Sequence, residues 1–394
     1  MSGIYIHIPF CKQACYYCDF HFSTSLSKKD ELINTLLIEL QLRKEELKNQ
    51  TIETIYFGGG TPSLLMNEEL KLLIDAVYKN YQVVENPEIT LEANPDDLTT
   101  KRINDLAASQ INRLSIGIQS FFEDDLKSMN RAHNATEAKK CLEEATRYFD
   151  NITIDLIYGI PNMSLDKWNQ NLQIAFDFGV NHISSYALTV EPKTALDSFI
   201  KKGTYPPIDE DLALEHFNHL IAETEKKGFI QYEISNFGKP NYFSKHNTSY
   251  WKGKPYLGIG PSAHSFNNNQ RSWNVSNNTK YIKSIQQNEL PSTVETLSKK
   301  DRFNEYVMTG LRTIWGVSLN KIKEDFGVEY KEHLLTASKE FIHQQLLVIA
   351  NEMKQSHSLE KITLSQAPRN DEILKATQKG KFLIDGISSS LFLI

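Results

Sequence analysis

Residues 4–18 run Ile4-Tyr5-Ile6-His7-Ile8-Pro9-Phe10-Cys11-Lys12-Gln13-Ala14-Cys15-Tyr16-Tyr17-Cys18, and their reading decides the fold. Ile4 to Ile8 is a β-rich apolar run, and Pro9 stops it. Cys11, Cys15 and Cys18 follow at once, on the loop directly after the strand. Thiols this close can converge on one metal centre. Spacing alone leaves two sets open. Zinc would take Cys11, Cys15, Cys18 and His21 as a tetrahedral Cys3His site. An iron–sulfur cluster would take the three cysteines and leave one iron without a protein thiolate. The fourth cysteine, Cys141, lies in a helical pattern with Leu142 and Ala145 and reads as a small core residue.

Composition bounds the rest. At ~150 residues per domain, 394 residues suggest two or three domains. With 40% hydrophobic and 23% charged residues the chain can bury a large core. Net charge is −6 with no long basic run, which argues against a nucleic-acid partner. No window approaches the ~20 apolar residues a membrane helix needs. The start, MSGIYIHIPF, lacks a positive region before an apolar stretch, and Pro9 interrupts it, so no signal peptide is expected. Four cysteines are too few for a secreted disulfide framework. A metal site in a reducing cytoplasm fits better.

Beyond Ile4–Ile8, β-rich runs recur at 54–57, 88–91, 113–118, 152–157 and 182–188, separated by amphipathic stretches such as Glu31 to Leu47. Strand alternating with helix predicts an α/β fold with a parallel sheet, closed or partly closed into a barrel. Between about 236 and 290 Asn and Gly thicken and periodicity fades, which reads as irregular connection. Helical patterns return at Asp301–Ile314, Ser318–Asp325 and Tyr330–Leu347, followed by β-like runs at Lys361–Leu364 and Lys381–Asp385. The expected organisation is a barrel over 1–240, a connecting loop region over 241–298 and a small, mainly helical, winged-helix-like domain over 299–394.

In a parallel β/α barrel the functional face lies at the C-terminal strand ends. Gly58-Gly59-Gly60-Thr61-Pro62 follows the second run, and its amides could receive an anion. Glu92 closes the third run, Gln119 follows the fourth, Asp155 sits in the fifth and Tyr186-Ala187 end the sixth. A zinc knuckle needs none of these. A ligand with amino, carboxylate and hydroxyl groups would use them.

Tyr5-Ile-His7-Ile-Pro9-Phe10-Cys11, the Cys-x3-Cys-x2-Cys spacing, the Gly58–Pro62 loop and Asp155-Leu-Ile-Tyr-Gly159-Ile-Pro161 resemble the radical S-adenosylmethionine (SAM) superfamily. Within it they resemble the oxygen-independent coproporphyrinogen III oxidase branch, over nearly the whole chain. The resemblance implies a partial (β/α)6 TIM-like barrel in which Cys11, Cys15 and Cys18 bind a [4Fe–4S] cluster. Its fourth iron would chelate SAM, and one-electron reduction would yield methionine and a 5′-deoxyadenosyl radical. It also implies that Tyr5, Tyr17, Gly59, Gly60, Thr61, Glu92, Gln119, Arg131, Asp155 and Ala187 line the nucleotide site. Charge suggests Glu92 for the amino group and Arg131 for the carboxylate by a forked pair.

The dehydrogenases of this branch carry a further cysteine two residues after the third, where this chain has Phe20, and a long arm before the cluster motif, where only ten residues precede Cys11. Both departures resemble the HemW-type haem chaperones instead. His246-Asn247-Thr248-Ser249-Tyr250-Trp251 matches a His-Asn-x-x-Tyr-Trp motif associated with haem in that group, which implies His246 as a haem ligand. His264, on a second glycine-rich loop, ranks lower, and His216 and His219 receive no role. The expectation is a cytoplasmic chaperone that binds the cluster, SAM and haem and passes haem to an acceptor protein, with an electron donor to the cluster. Such a protein would cleave SAM without dehydrogenase activity. The alternative is oxidative decarboxylation of coproporphyrinogen III to protoporphyrinogen IX.

Overall fold

The six apolar runs become six adjacent parallel strands: β1 (Ser2–Ile8), β2 (Ile52–Gly59), β3 (Val83–Ala93), β4 (Arg113–Gln119), β5 (Ile152–Tyr158) and β6 (His182–Ala187). The computed structural model describes residues 2–351 and 371–394. Helices cover the outer face of the sheet. One is Lys29–Leu42, which buries Leu32, Leu36 and Leu40 and stops short of the expected Leu47. Another, Ala135–Tyr148, starts on a capping box in which Asn134 and Glu137 satisfy each other's backbone amides. Cys141 is buried on its inner face. Among the described residues no helix is long and apolar enough to cross a membrane.

The sheet extends well past six strands. β7 (Ile230–Glu233) and β8 (Asn236–Gly238) add antiparallel beyond β6. On the other side β9 (Tyr256–Ile259) pairs parallel with β1, and β10 (His264–Phe266), β11 (Gln270–Asn274) and β12 (Ser292–Thr296) follow antiparallel. The order is β12-β11-β10-β9-β1-β2-β3-β4-β5-β6-β8-β7, an open, partial barrel.

The stretch expected to be irregular is therefore largely ordered sheet and helix. Its strands are three to five residues long and mostly polar, so they carry no readable alternation. What organises them is distant. Buried Glu39, on the helix after β1, accepts from Gly260 N at 2.8 Å, Asn274 Nδ2 at 2.7 Å and the Tyr281 hydroxyl. Its neighbour Arg43 donates to Gly258 O at 2.8 Å and Ser265 Oγ at 3.1 Å. A buried ion pair with its remaining hydrogen-bonding capacity satisfied fixes one geometry for this segment.

The C-terminal helices Lys299–Leu311, Leu319–Phe326 and Val328–His343 enclose a second core built on Phe303, Val307, Leu311, Ile322 and Leu334. A small antiparallel sheet of β13 (Val317–Ser318), β14 (Leu347–Asn351) and β15 (Glu372–Ala376), in the order β13-β15-β14, lies against them. The run Lys361–Leu364 lies outside the described residues. The run Lys381–Asp385 is not a strand: Ile384, Ile387 and Leu391 recur at helical spacing, and the helix Ile384–Ser390 presents them to that core.

Candidate functional site

Side chains alternate along each strand, so register decides which residues share the inner face. Tyr5 pairs with Tyr56, Glu92 with Ser115, Asp155 with Ser184 and Ile157 with Tyr186. At the C-terminal strand ends Glu92, Ser115, Asp155, Ile157 and Tyr186 of this set border a cavity of about 400 Å³ whose mouth is the cysteine loop. Cys11, Cys15, Cys18, Tyr17, Gly59, Gly60, Thr61, Glu92, Gln119, Arg131, Asp155 and Ala187 all line it. The structure thus brings twelve expected residues together and leaves out two, Tyr5 and His246.

Separate segments hold the cysteine loop. Cys11 N donates to Ser23 O at 3.0 Å, Tyr16 N to Met129 O at 3.1 Å and Leu196 N to Tyr16 O at 2.8 Å. Asn130 closes on it from both ends, its Nδ2 donating to Ala14 O and its carbonyl accepting from Gln13. The Tyr16 ring meets Phe199 edge-on at 4.9 Å. All three thiols are free and half-buried. Burial pushes the Cys11 thiol up and the Cys18 thiol to about 11, so loading a metal there releases protons. Among the described residues no group of three or more His, Cys, Asp or Glu is placed to hold a metal ion. His21 is spent elsewhere, its Nε2 2.7 Å from Asn278 Oδ1. His21 therefore does not offer Nε2 to a Cys3His zinc set.

The glycine loop differs from expectation in what its amides do. Gly59 N donates to Glu92 Oε2 at 3.1 Å and Gly60 N to Ile8 O at 2.9 Å. Neither amide is open to an anion. The glycines are required because β1 and the residues just after it crowd them: a Cβ on Gly59, at φ +109°, would sit 2.5 Å from the His7 ring, and one on Gly60 2.7 Å from Phe10 O.

Glu92 also accepts from the Tyr56 hydroxyl at 2.7 Å, and burial raises its pKa. Burial, then the nearby Glu92, lifts Asp155 to about 7, against the pull of Arg131. Arg131 commits all four Nη hydrogens to protein: Nη1 to Cys15 Sγ and the Tyr17 hydroxyl, both at 3.3 Å, and Nη2 to Asn94 Oδ1 at 2.7 Å and Gly117 O at 2.9 Å. Its Nε is a buried donor without a partner. A forked pair with a carboxylate is thus replaced by a single open donor. Gln119 holds a left-handed backbone at φ +65° where its strand meets the cavity, strain of the kind that gathers at working sites.

Tyr5 lies behind the cavity, its hydroxyl 3.1 Å from His7 Nδ1. His7 Nε2 donates to His21 O at 3.0 Å, which makes Nδ1 the acceptor. His246 lies at the opposite end of the barrel. Its Nδ1 is 2.7 Å from Thr54 Oγ1, its Nε2 is 2.7 Å from the Tyr250 hydroxyl, and its ring stacks on Tyr56 at 4.8 Å. It is 1% exposed, and burial lowers it to about 3, so it is neutral. Both ring nitrogens are taken by protein hydroxyls, so the fold as it stands offers neither to a haem iron. Trp251, the last residue of the motif, lies under the Arg312 guanidinium of the C-terminal domain. The motif braces the barrel floor against that domain. His264 is exposed and stacks on Trp273 away from the cavity.

Sequence reasoning missed Asn94 and Phe22 as lining residues, while Tyr186, expected at the rim, lines the cavity. Asn94 and Phe22 carried no periodic signal.

Three findings place the chain among known proteins. Residues 5–174 match the radical SAM superfamily model, and residues 297–353 match the HemN C-terminal domain. The chain is 34% identical over 331 residues to the heme chaperone HemW of Bacillus subtilis (strain 168), covering 83% of this chain and 87% of that one. It is 33% identical to the heme chaperone HemW of Lactococcus lactis, covering 91% and 94%. Coproporphyrinogen III oxidase (HemN) from Escherichia coli, a radical SAM enzyme, superposes with a TM-score of 0.81 over 99% of this chain and 89% of its own at 20% identity, a likeness of fold.

Proposed function

The chain belongs to the radical SAM superfamily and, within it, to the family of the heme chaperone HemW, and from that premise we propose that it binds haem and delivers it to an acceptor protein. The observation that carries this reading is the mouth of the cavity. Cys11, Cys15 and Cys18 line it, and Phe20, 68% exposed, stands beside them with Phe22. A phenyl ring in that place is no metal ligand, and its apolar face suits the flat face of a porphyrin.

The residues present fit the superfamily's cofactors. Three thiols with no fourth protein ligand among the described residues are the donor set of a cluster with one open iron. The unpartnered Arg131 Nε and the buried Glu92 and Asp155 offer one donor and two acids to a ligand with carboxylate, amino and hydroxyl groups. The cluster, when bound, supplies a single electron and a coordination site for SAM. Thr61 Oγ1 donates to Cys11 Sγ at 3.4 Å and Arg131 Nη1 to Cys15 Sγ, so the protein neutralises charge on two sulfurs. Glu92 and Asp155 would accept from the amino and ribose groups of SAM, while Tyr17, Gly59, Gly60, Gln119 and Ala187 would shape the wall. Tyr5 supports that wall from behind through His7. A reducing cytoplasm keeps the three thiols available, and a one-electron donor protein serves the cluster.

The test is an anaerobic reconstitution followed by haem titration and transfer to an apo-haemoprotein. Saturation near one haem per chain, with onward transfer, is the expected result. Absence of saturable binding, with conversion of coproporphyrinogen III to protoporphyrinogen IX, would overturn the reading in favour of the dehydrogenase.

A further inference from the structure

Arg131 is a buried cation whose orientation is fixed from behind. Asn94 Oδ1 and Gly117 O hold Nη2, and a Cβ on Gly117 would already lie 3.1 Å from it. With the guanidinium plane so pinned, Nη1 is left facing Cys15 Sγ and the Tyr17 hydroxyl. The three cysteines therefore differ. Cys11 receives a neutral hydroxyl from Thr61, Cys18 a backbone amide from Phe20, and Cys15 a charged N–H donor.

We propose that Arg131 is a positioning residue that sets the reduction potential of the cluster through Cys15, holding it above the value the three cysteines alone would give. Reduction adds one electron, delivered by an external low-potential reductant, and no bond is made or broken. The reduced state is the more negative one, so a cation that donates to a ligand sulfur inside a poorly solvated loop stabilises it more than the oxidised state. Outer partners of metal ligands act in this way generally. The inference rests on Cys11, Cys15 and Cys18 holding the cluster, and it is independent of haem.

Arg131→Gln, Arg131→Lys and the unaltered full chain would be reconstituted anaerobically without SAM. Iron and sulfide content are measured first, then the midpoint potential by a dye-mediated titration followed by electron paramagnetic resonance of the reduced cluster. Full metal content with a midpoint shifted negative in Arg131→Gln, and a smaller shift in Arg131→Lys, is expected. An unshifted midpoint at full metal content overturns the proposal. If Arg131→Gln does not hold a full cluster, Asn94→Ala decides: it keeps the charge but releases Nη2, a negative shift supports the proposal, and an unshifted midpoint overturns it. Failure of the unaltered chain to take up iron and sulfide overturns the ligand assignment itself.

Discussion

His246 Nδ1 lies 2.7 Å from Thr54 Oγ1, five residues before Gly59 on the same strand. At ~3.3 Å per residue that is roughly 16 Å from the cavity rim. The histidine of the motif and the cysteines of the loop therefore occupy opposite ends of the barrel.

His246→Ala would strip the partners from Thr54 and Tyr250 and open a void beside Tyr56. The cost is about 2–4 kcal/mol of folding stability. Denaturant unfolding should show that loss, while haem titration of the folded variant keeps the stoichiometry of the unaltered chain. Haem binding abolished at unchanged stability would restore His246 as a ligand.

Cys15→Ala leaves two thiolates at the mouth of the cavity. Iron and acid-labile sulfide after reconstitution should fall to near background, with the far-ultraviolet circular dichroism unchanged. A full complement of both would mean that the cluster is held elsewhere.

Asp155 provides a pH signature. Its carboxyl titrates near 7 in the folded chain and near 3.9 when unfolded. The folded state binds the proton more tightly, so the contribution to stability is complete below about pH 4 and lost as pH rises through about 7. Asp155→Asn should therefore stabilise the cofactor-free protein at pH 8, by on the order of 1–3 kcal/mol, and have little effect at pH 4. Equal effects at both values would show that the carboxyl does not titrate there.

Gly59→Ala places a Cβ against the His7 ring in a backbone conformation unsuited to alanine. A destabilisation of about 1–3 kcal/mol is expected, together with poorer cluster loading, since Gly60 hydrogen-bonds to Ile8 just before the cysteine loop. Normal stability and loading would mean that the loop can shift.

Glu39→Ala leaves the buried Arg43 paired with Glu46 alone and frees Gly260, Asn274 and Tyr281. The hydrogen bonds lost at these buried groups cost about 2–4 kcal/mol. Limited proteolysis should cut first between residues 260 and 275. Unaltered protection would show that the β9–β1 pairing alone holds the segment.

The six parallel strands were legible because strands covered on both faces read as unbroken apolar runs. The polar residues that end or interrupt those runs, Glu92, Gln119 and Asp155, were legible as rim residues for the same reason. Register hid the remainder. Nothing in the Gly58–Gly60 run shows that Glu92 and Ile8 take its amides. The strands beyond residue 255 depend on Glu39 and Arg43, more than two hundred positions upstream, and no local window contains that dependence. The motif made His246 legible as a residue, but a motif match carries no depth, so its buried place at the far end of the barrel was not. Lys381–Asp385 misled because five apolar and polar residues fit either period until Ile387 and Leu391 are counted with Ile384.

The loop that carries Cys11, Cys15 and Cys18 is tied to Ser23, Met129, Asn130 and Leu196 by the protein's own hydrogen bonds. Its shape is set when the chain folds, before any iron arrives, so loading the cluster requires little further ordering of backbone. A cluster lost to oxygen can then be replaced without refolding the chain. By the same logic, damage at Asn130 or Phe199, neither of which is a metal ligand, would surface as a deficiency of iron.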